Sequence, residues 1–383
     1  MAAVYQRRSD RCKASRTVIQ SAMVQSLLKL GAAAIAAVAL ASLLSSCWYV
    51  KQATHFLSER AAAVPVGRVA ADPDTPPETV AMLEAVERVR RFAVERVGLS
   101  PTKNYTRYVA LDRGYVADVV SACAADSFER YRWRYPVLGE LPYKGFYDKA
   151  DATREAKRLK EAGLDVIVRQ VDAFSSLGYF KDPLYSFMAS SDEDELAEMV
   201  IHESAHATLF VKGADQFNEG FATFVGRRGA ELYLEERYGP GSPQAATRRD
   251  RIADGRAFVG FIRGTAALLE EAYADASVGR DARLERKAAI IAERAALFAA
   301  ERERLFTGEA YRRFDMSTIN NAYIDLYRLY EDDLGLFDAW FDRVAGGSLP
   351  EFVSTLSALA AAEGRRVSIA MAERLGLAID AVP

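Results

Sequence analysis

SSDEDELAEMVIHESAHATLFVKG, residues 190–213, is the stretch that decides the fold. Asp192, Glu193, Asp194 and Glu195 crowd its start, where the positive end of a helix dipole favours carboxylates. Ser190 with Glu193, or Asp192 with Glu195, has the spacing of a capping box, and Gly213 closes the run. One helix is therefore expected here, and His202-Glu203-Ser204-Ala205-His206 sits inside it. Histidines at i and i+4 share a helix face, with Cβ atoms about 5–6 Å apart, so both imidazoles can converge on one metal ion. Glu203 is rotated about 100° from His202 around the axis. From there it does not compete as a ligand, yet it can reach a water on the metal. The chain has three histidines and two of them are in this motif, which makes a chance pair satisfied within the core the weaker reading.

Zinc in a hydrolase takes three protein ligands and keeps one position open for water. Asp215, Glu219, Glu231, Glu235 and Glu236 follow the motif as candidates for the third. Glu219, in NEGFA at residues 218–222, stands out, because twelve residues separate it from His206. That is enough for the first helix to end, the chain to turn at Gly213, and a second helix to begin near Asn218 and face the first. The chemistry expected of such a site is hydrolysis by a zinc-activated water, with Glu203 as general base.

The pair HESAH and NEGFA resembles the gluzincins, in which HExxH supplies two ligands and a downstream glutamate the third, although the spacer here is shorter than in neutral aminopeptidases and thermolysin-like enzymes. A closer resemblance is to the bacterial putative aminopeptidase family, a group of predicted zinc lipoproteins. It extends over WYVKQATHFL (48–57), PYKGFYD (142–148), SSLGYFKDPL (175–184), FNEGFATFV (217–225) and INNAYIDLYRLY (319–330). The resemblance implies zinc held by His202, His206 and Glu219, peptide-bond hydrolysis, and a lipid anchor. Three positions depart from it: Gly220 stands where the family often has serine, and Arg134 and Glu140 stand at two family cysteines, where a salt bridge could replace a disulfide. The amine-binding G-x-M-E-N motif of well-known zinc aminopeptidases is also absent, so an endopeptidase of the cell envelope is an alternative. A non-catalytic zinc-binding lipoprotein is a second alternative, although a purely structural site would not require Glu203.

An oxyanion donor is needed beyond the metal. Tyr330 is the first candidate, ahead of Tyr143 and Tyr147, all three in family-like stretches. The segment SSLGYF lies where many zincins place the edge strand that pairs with substrate, and Gly178 would let a peptide backbone approach closely. Thr223, one turn after Glu219, is a candidate to support a ligand from behind.

The N-terminus carries Arg7, Arg8, Arg11, Lys13, Arg16 and Lys29, followed by the uncharged run LGAAAIAAVALASLL at residues 30–44. Fifteen apolar residues are short of the roughly 20 that span a membrane. The run leads into Leu44-Ser45-Ser46-Cys47, which resembles a bacterial lipobox. Residues 1–46 therefore read as a signal peptide and Cys47 as the lipidated new N-terminus, with an uncleaved signal anchor as the competing reading. Trp48 after the cysteine, rather than Asp, leans toward the outer membrane, with the body facing the periplasm. Residues 47–77 read as anchor and linker, and 78–383 as a zincin-like peptidase domain with helical additions.

Beyond the leader the chain has 44 basic against 52 acidic residues, which gives no electrostatic case for nucleic acid. The expected partners are a peptide or protein substrate and the membrane. Cys123, flanked by alanines, reads as an inert buried thiol. Helices are expected over 78–97 and 149–163, with two long ones centred near 265 and 292. Strands are expected in TRYVALDR (106–113), LDVIVRQV (164–171) and FSSLGYF (174–180). The expected class is α+β and predominantly helical, with a zincin-like active-site helix, a small sheet and long C-terminal helices.

Overall fold

The computed structural model describes residues 48–135, 139–171, 182–275, 277–328 and 334–377. They fall into two compact units that divide between Ala61 and Ala62. Helix α1 (Trp48–Ala62) runs through the first, and the remaining elements belong to the second. Cys47, Gly178 and Tyr330 lie outside the described residues, as does the strand expected over 174–180. Among the described residues no helix is long and apolar enough to cross a membrane.

The stretch read as linker contributes strand β1 (Val64–Pro65) and helix α2 (Val66–Ala70). Pro77 then opens helix α3 (Pro77–Glu95) at the position where its missing N–H costs nothing. Met82, Val86, Val89 and Ala93, spaced by three and four, form the buried stripe of α3. Strand β2 (Arg107–Val109) is shorter than the TRYVALDR run suggested. It pairs antiparallel with β1 and parallel with β8 (Leu184–Tyr185).

The second sheet centres on β3 (Ala117–Ala124), whose burial is nearly continuous, as expected of a central strand covered on both faces. Between β3 and the next members of this sheet, β4 (Trp133–Tyr135) and β5 (Gly139–Leu141) form a separate antiparallel pair. Arg134 and Glu140 stand directly opposite each other in it, with Nε and Oε1 2.8 Å apart. The ion pair anticipated between these two residues is thus present, though its exposure limits it to about 0–1 kcal/mol.

Strand β6 (Tyr143–Phe146) follows, then helix α4 (Lys149–Glu161), then β7 (Leu164–Val171). Both strands flank β3 antiparallel. The Asp148 carboxylate caps α4 by accepting from the Ala150 and Asp151 amides. Ala152, Ala156 and Leu159 are the buried residues of α4.

The rest is helical: α5 (Glu193–Thr208), α6 (Asp215–Tyr238), α7 (Pro243–Ala274), α8 (Arg280–Leu305), α9 (Glu309–Arg312), α10 (Asn321–Arg328), α11 (Gly335–Arg343), α12 (Leu349–Glu363) and α13 (Val367–Leu375). The fold is predominantly helical α+β, as anticipated. One core joins α3, α5, α6 and α11–α13, with Phe221 and Phe224 stacked on Phe352 and Trp340 fully buried nearby. A second core fills the α7–α8 hairpin around Phe258, Phe298 and Phe306. The INN stretch has a structural role. The buried Asn321 amide donates to the carbonyls of Ala124, Ala125 and Ser127, and the Asn320 amide donates to that of Val166. Those bonds satisfy carbonyls at the ends of β3 and β7 that would otherwise be costly to bury.

Candidate metal site on the α5–α6 helix pair

Helix α5 begins with the capping box of Asp192 and Glu195 rather than that of Ser190 and Glu193. Glu195 Oε2 accepts from the Asp192 amide at 3.2 Å. The helix ends at Thr208, earlier than Gly213, and the chain then turns at Gly213 with φ near 78°. Asn218 fixes this turn, and its importance was not apparent from the sequence. Its side chain is 1% exposed; Oδ1 accepts from the Val211 amide at 2.8 Å and Nδ2 donates to the Val211 carbonyl at 2.9 Å. The residue preceding Glu219 therefore ties the first turn of α6 to the end of the α5–α6 loop.

Close approach of the two helices does the rest. A Cβ added at Gly226 would lie 3.0 Å from His202 Cβ and 3.2 Å from the Glu198 carbonyl. A side chain there would wedge α6 away from the helix that carries the histidines. Gly226→Val is therefore expected to cost about 1–3 kcal/mol by overpacking and to weaken metal binding with it. Thermal unfolding and a metal titration check this; an unchanged melting temperature with unchanged affinity would contradict it. At Gly220 an added Cβ would lie 2.5 Å from the Phe337 ring, so any side chain there would have to displace that phenylalanine.

The result is a three-sided group. His202 Nε2 and His206 Nε2 are 3.1 Å apart, His206 Nε2 is 3.5 Å from Glu219 Oε1, and His202 Nε2 is 3.9 Å from Glu219 Oε2. Donors about 2.0–2.2 Å from a tetrahedral metal ion would lie about 3.3–3.5 Å from one another. The observed spacings bracket that value, and these three residues form a group that could hold a metal ion. The imidazoles are mostly covered, at 25% and 22% exposure, whereas the Glu219 side chain is 69% exposed and keeps the site open to solvent. His202 also hydrogen-bonds the Ala222 backbone. Because Nε2 faces the centre, this bond falls to Nδ1 and fixes the ring and its tautomer. Ala222 thus takes the supporting role expected of Thr223, whose side chain has no hydrogen bond among the described residues.

Burial, reinforced by the neighbouring His206, pulls the His202 pKa down to about 4, against the charges of Glu219 and Glu198. Burial acts the same way on His206, but the hydrogen bond and charge of Glu219 and the charge of Glu203 outweigh it and hold His206 above the ordinary value. Glu219 is lowered by its hydrogen bond with His206 and by both imidazoles, against burial. Glu203 is raised by burial and by the charges of Asp182 and Glu219, against His206. A carboxylate shifted upward beside two imidazoles is better matched to accepting a proton near neutral pH.

Several expected and unexpected residues can now be placed. Tyr143 lies on β6 and lines a different cleft with Cys123, Arg130 and Asp325. Burial pushes the Cys123 thiol up to about 12, in keeping with an inert role. Tyr311 and Tyr327 line a cleft that extends to His202. Tyr327 lies three residues before Tyr330 in the sequence. Tyr105 was not anticipated. It is 4% exposed, its backbone lies in the left-handed region at φ 61°, and its amide donates to the Asp182 carbonyl at 2.7 Å. Such a conformation in a non-glycine residue costs on the order of 1–3 kcal/mol and is retained where the surroundings enforce it.

Fold and site together define a predominantly helical protein with a metal-competent His-His-Glu group on a pair of packed helices and a second carboxylate beside it. Residues 47–369 match the family described as Putative aminopeptidase, and the chain belongs to that family. The membership supports a peptidase-like function. No curated protein and no solved structure matches the chain.

Proposed function

We propose that this chain is a zinc-dependent peptidase, with His202, His206 and Glu219 as ligands and Glu203 as general base, anchored to a bacterial membrane through lipidated Cys47. The observation that carries the reading is the convergence of His202 Nε2, His206 Nε2 and the Glu219 carboxylate at spacings suited to one ion, with Glu203 adjoining. Two imidazoles and one carboxylate suit zinc and leave a position open.

Zinc, when bound, supplies a Lewis acid for the scissile carbonyl and lowers the pKa of a water at the centre. Glu203 accepts the proton of the attacking water and delivers it to the leaving amine. His202, held neutral by burial and oriented by Ala222, presents Nε2 without competing protonation. Tyr311 and Tyr327, which line the cleft that extends to His202, are the candidate donors to negative charge on the carbonyl oxygen. Metal analysis combined with cleavage of a peptide library tests the reading. About one zinc per chain and chelator-sensitive cleavage are expected, and a metal-free preparation that cleaves at full rate would overturn it. The positions of the cuts separate aminopeptidase from endopeptidase.

Zinc binding requires neutral imidazoles, so protons compete with the metal. His206, held above the ordinary 6.5, is the histidine that protonates first as pH falls. Affinity should therefore decline as pH drops through the His206 value, while His202, neutral down to about 4, adds no proton competition there. Competition titrations at about pH 8 and about pH 6 measure this; equal affinities at both would contradict it.

The anchor is tested separately. Cys47→Ser should abolish incorporation of labelled fatty acid and release the chain from the membrane fraction or leave an uncleaved precursor. A wild-type chain that takes up no fatty acid removes the lipoprotein assignment without touching the metal site.

A further inference from the structure

None of the residues of helix α1 (Trp48–Ala62) is buried, so the helix contributes to neither core of the protein. The compact unit to which it belongs ends at Ala61. If residues 1–46 leave with the signal peptide, α1 is what remains of that unit, and a lone helix of about 15 residues is marginal in water. It needs a surface to lie on.

One face of α1 suits such a surface. Tyr49, Val50 and Leu57 are 43%, 37% and 62% exposed, and Ala53 and Ala61 are exposed with them. At 100° per residue these five positions fall within about 120° of the helix circumference. Lys51, His55 and Glu59, four residues apart, share the opposite side. Arg60 is the one charge on the apolar side. It sits in the last turn with its guanidinium 4.3 Å from the centre of the Phe56 ring, and a side chain of that length can carry its charge out to the polar side of a boundary.

The chain position of α1 decides which surface this is. The helix begins at the residue after Cys47, and its first two side chains, Trp48 and Tyr49, meet edge to face with ring centroids 4.9 Å apart. Trp and Tyr are the residue types that settle at a membrane–water boundary. A helix of 15 residues is about 22 Å long, too short for a hydrocarbon core of about 30 Å, so α1 can lie along a bilayer but not across it. Three large side chains also fall short of the roughly 800 Å² per partner that a stable protein interface buries.

We infer that α1 is a membrane-surface helix, whose Tyr49, Val50 and Leu57 face lies at the boundary between headgroups and acyl chains of a phospholipid bilayer, beside the lipid on Cys47. The inference rests on the lipid-anchor reading of Cys47. Such a helix seats its apolar face about 5–10 Å into the boundary and keeps its charged face among the headgroups. The stretch that the sequence presents as a linker is then part of the attachment, a second membrane signal beside the lipid.

Photocrosslinking in intact bacterial membranes tests this on the full chain made with its leader. A diazirine analogue of leucine replaces Leu57 in one sample and Glu59 in another, and light joins it to whatever it touches. Leu57 is 62% exposed, so the analogue disturbs no packing. Phospholipid adducts, read by mass, should be about tenfold more abundant at position 57 than at position 59, which should react mainly with water. The mass of the N-terminal peptide from the same samples reports whether Cys47 carries lipid. A lipid-bearing chain whose position 57 reacts with water, with its own chain or with a second copy would overturn the inference and leave the anchor standing. A chain without lipid on Cys47 that still gives phospholipid adducts at position 57 would overturn the anchor and keep the surface helix, and one that gives none would overturn both.

Discussion

Glu203→Gln is expected to leave the chain folded and its zinc bound while peptide cleavage falls by at least about 10²–10⁴-fold, the range a positioned general base contributes. Amide and carboxylate have nearly the same shape, so packing on α5 is preserved. Glu203 also lies beside the metal-competent group rather than within it: that group is His202, His206 and Glu219. What the amide removes is the proton acceptor, together with a negative charge that helps hold His206 above its ordinary pKa. The variant should thus show wild-type zinc stoichiometry and, when stripped of metal, a lowered His206 pKa. The loss should fall on kcat rather than KM, because proton transfer is realised only in the transition state. Cleavage at near wild-type rate would remove Glu203 from the mechanism.

The second large effect concerns the metal itself. His206→Ala is expected to weaken zinc binding by more than about 100-fold, since even loss of a supporting residue behind a ligand costs 10–100-fold. His206 makes the shortest contacts in the group, 3.1 Å to His202 Nε2 and 3.5 Å to Glu219 Oε1, so its removal opens two sides of the triangle at once. Glu219→Gln should be milder. Its side chain is 69% exposed, and water can take the vacated position. A neutral amide is nevertheless a poor zinc ligand, so affinity and activity should fall together and added zinc should restore part of the turnover. Competition titration against a chelator of known affinity reads both variants. Zinc affinity unchanged in His206→Ala would exclude this site.

What was legible in the sequence was local. Acidic residues at the start of α5, histidines one turn apart and the apolar spacing of α3 all act over four residues or fewer, and local patterns reveal them. The β3–β7 pairing fits the same rule on its β7 side, since LDVIVRQV reads as a strand by itself. Other features depend on partners far along the chain. Val64–Pro65 becomes a strand only because Arg107 and Tyr108 lie beside it. Arg248 and Arg251 find Glu198, Glu195 and Asp194 fifty or more residues earlier, and no local pattern marks that pairing. Asn218 was read as part of a motif, but its hydrogen bonds to Val211 show that it holds the loop. Gly226 carried no local signal at all, because the need for a bare Cα arises only when α5 packs against it.

The central claim is that one zinc ion sits among His202, His206 and Glu219. An anomalous difference map at the zinc edge, from crystals of the purified chain, tests it most directly. The account predicts a single strong peak with nitrogen from His202 and His206 and oxygen from Glu219 at about 2.0–2.2 Å, and one position left open for water. A map without a peak at these three residues after zinc loading, or with its peak on other ligands, would contradict it.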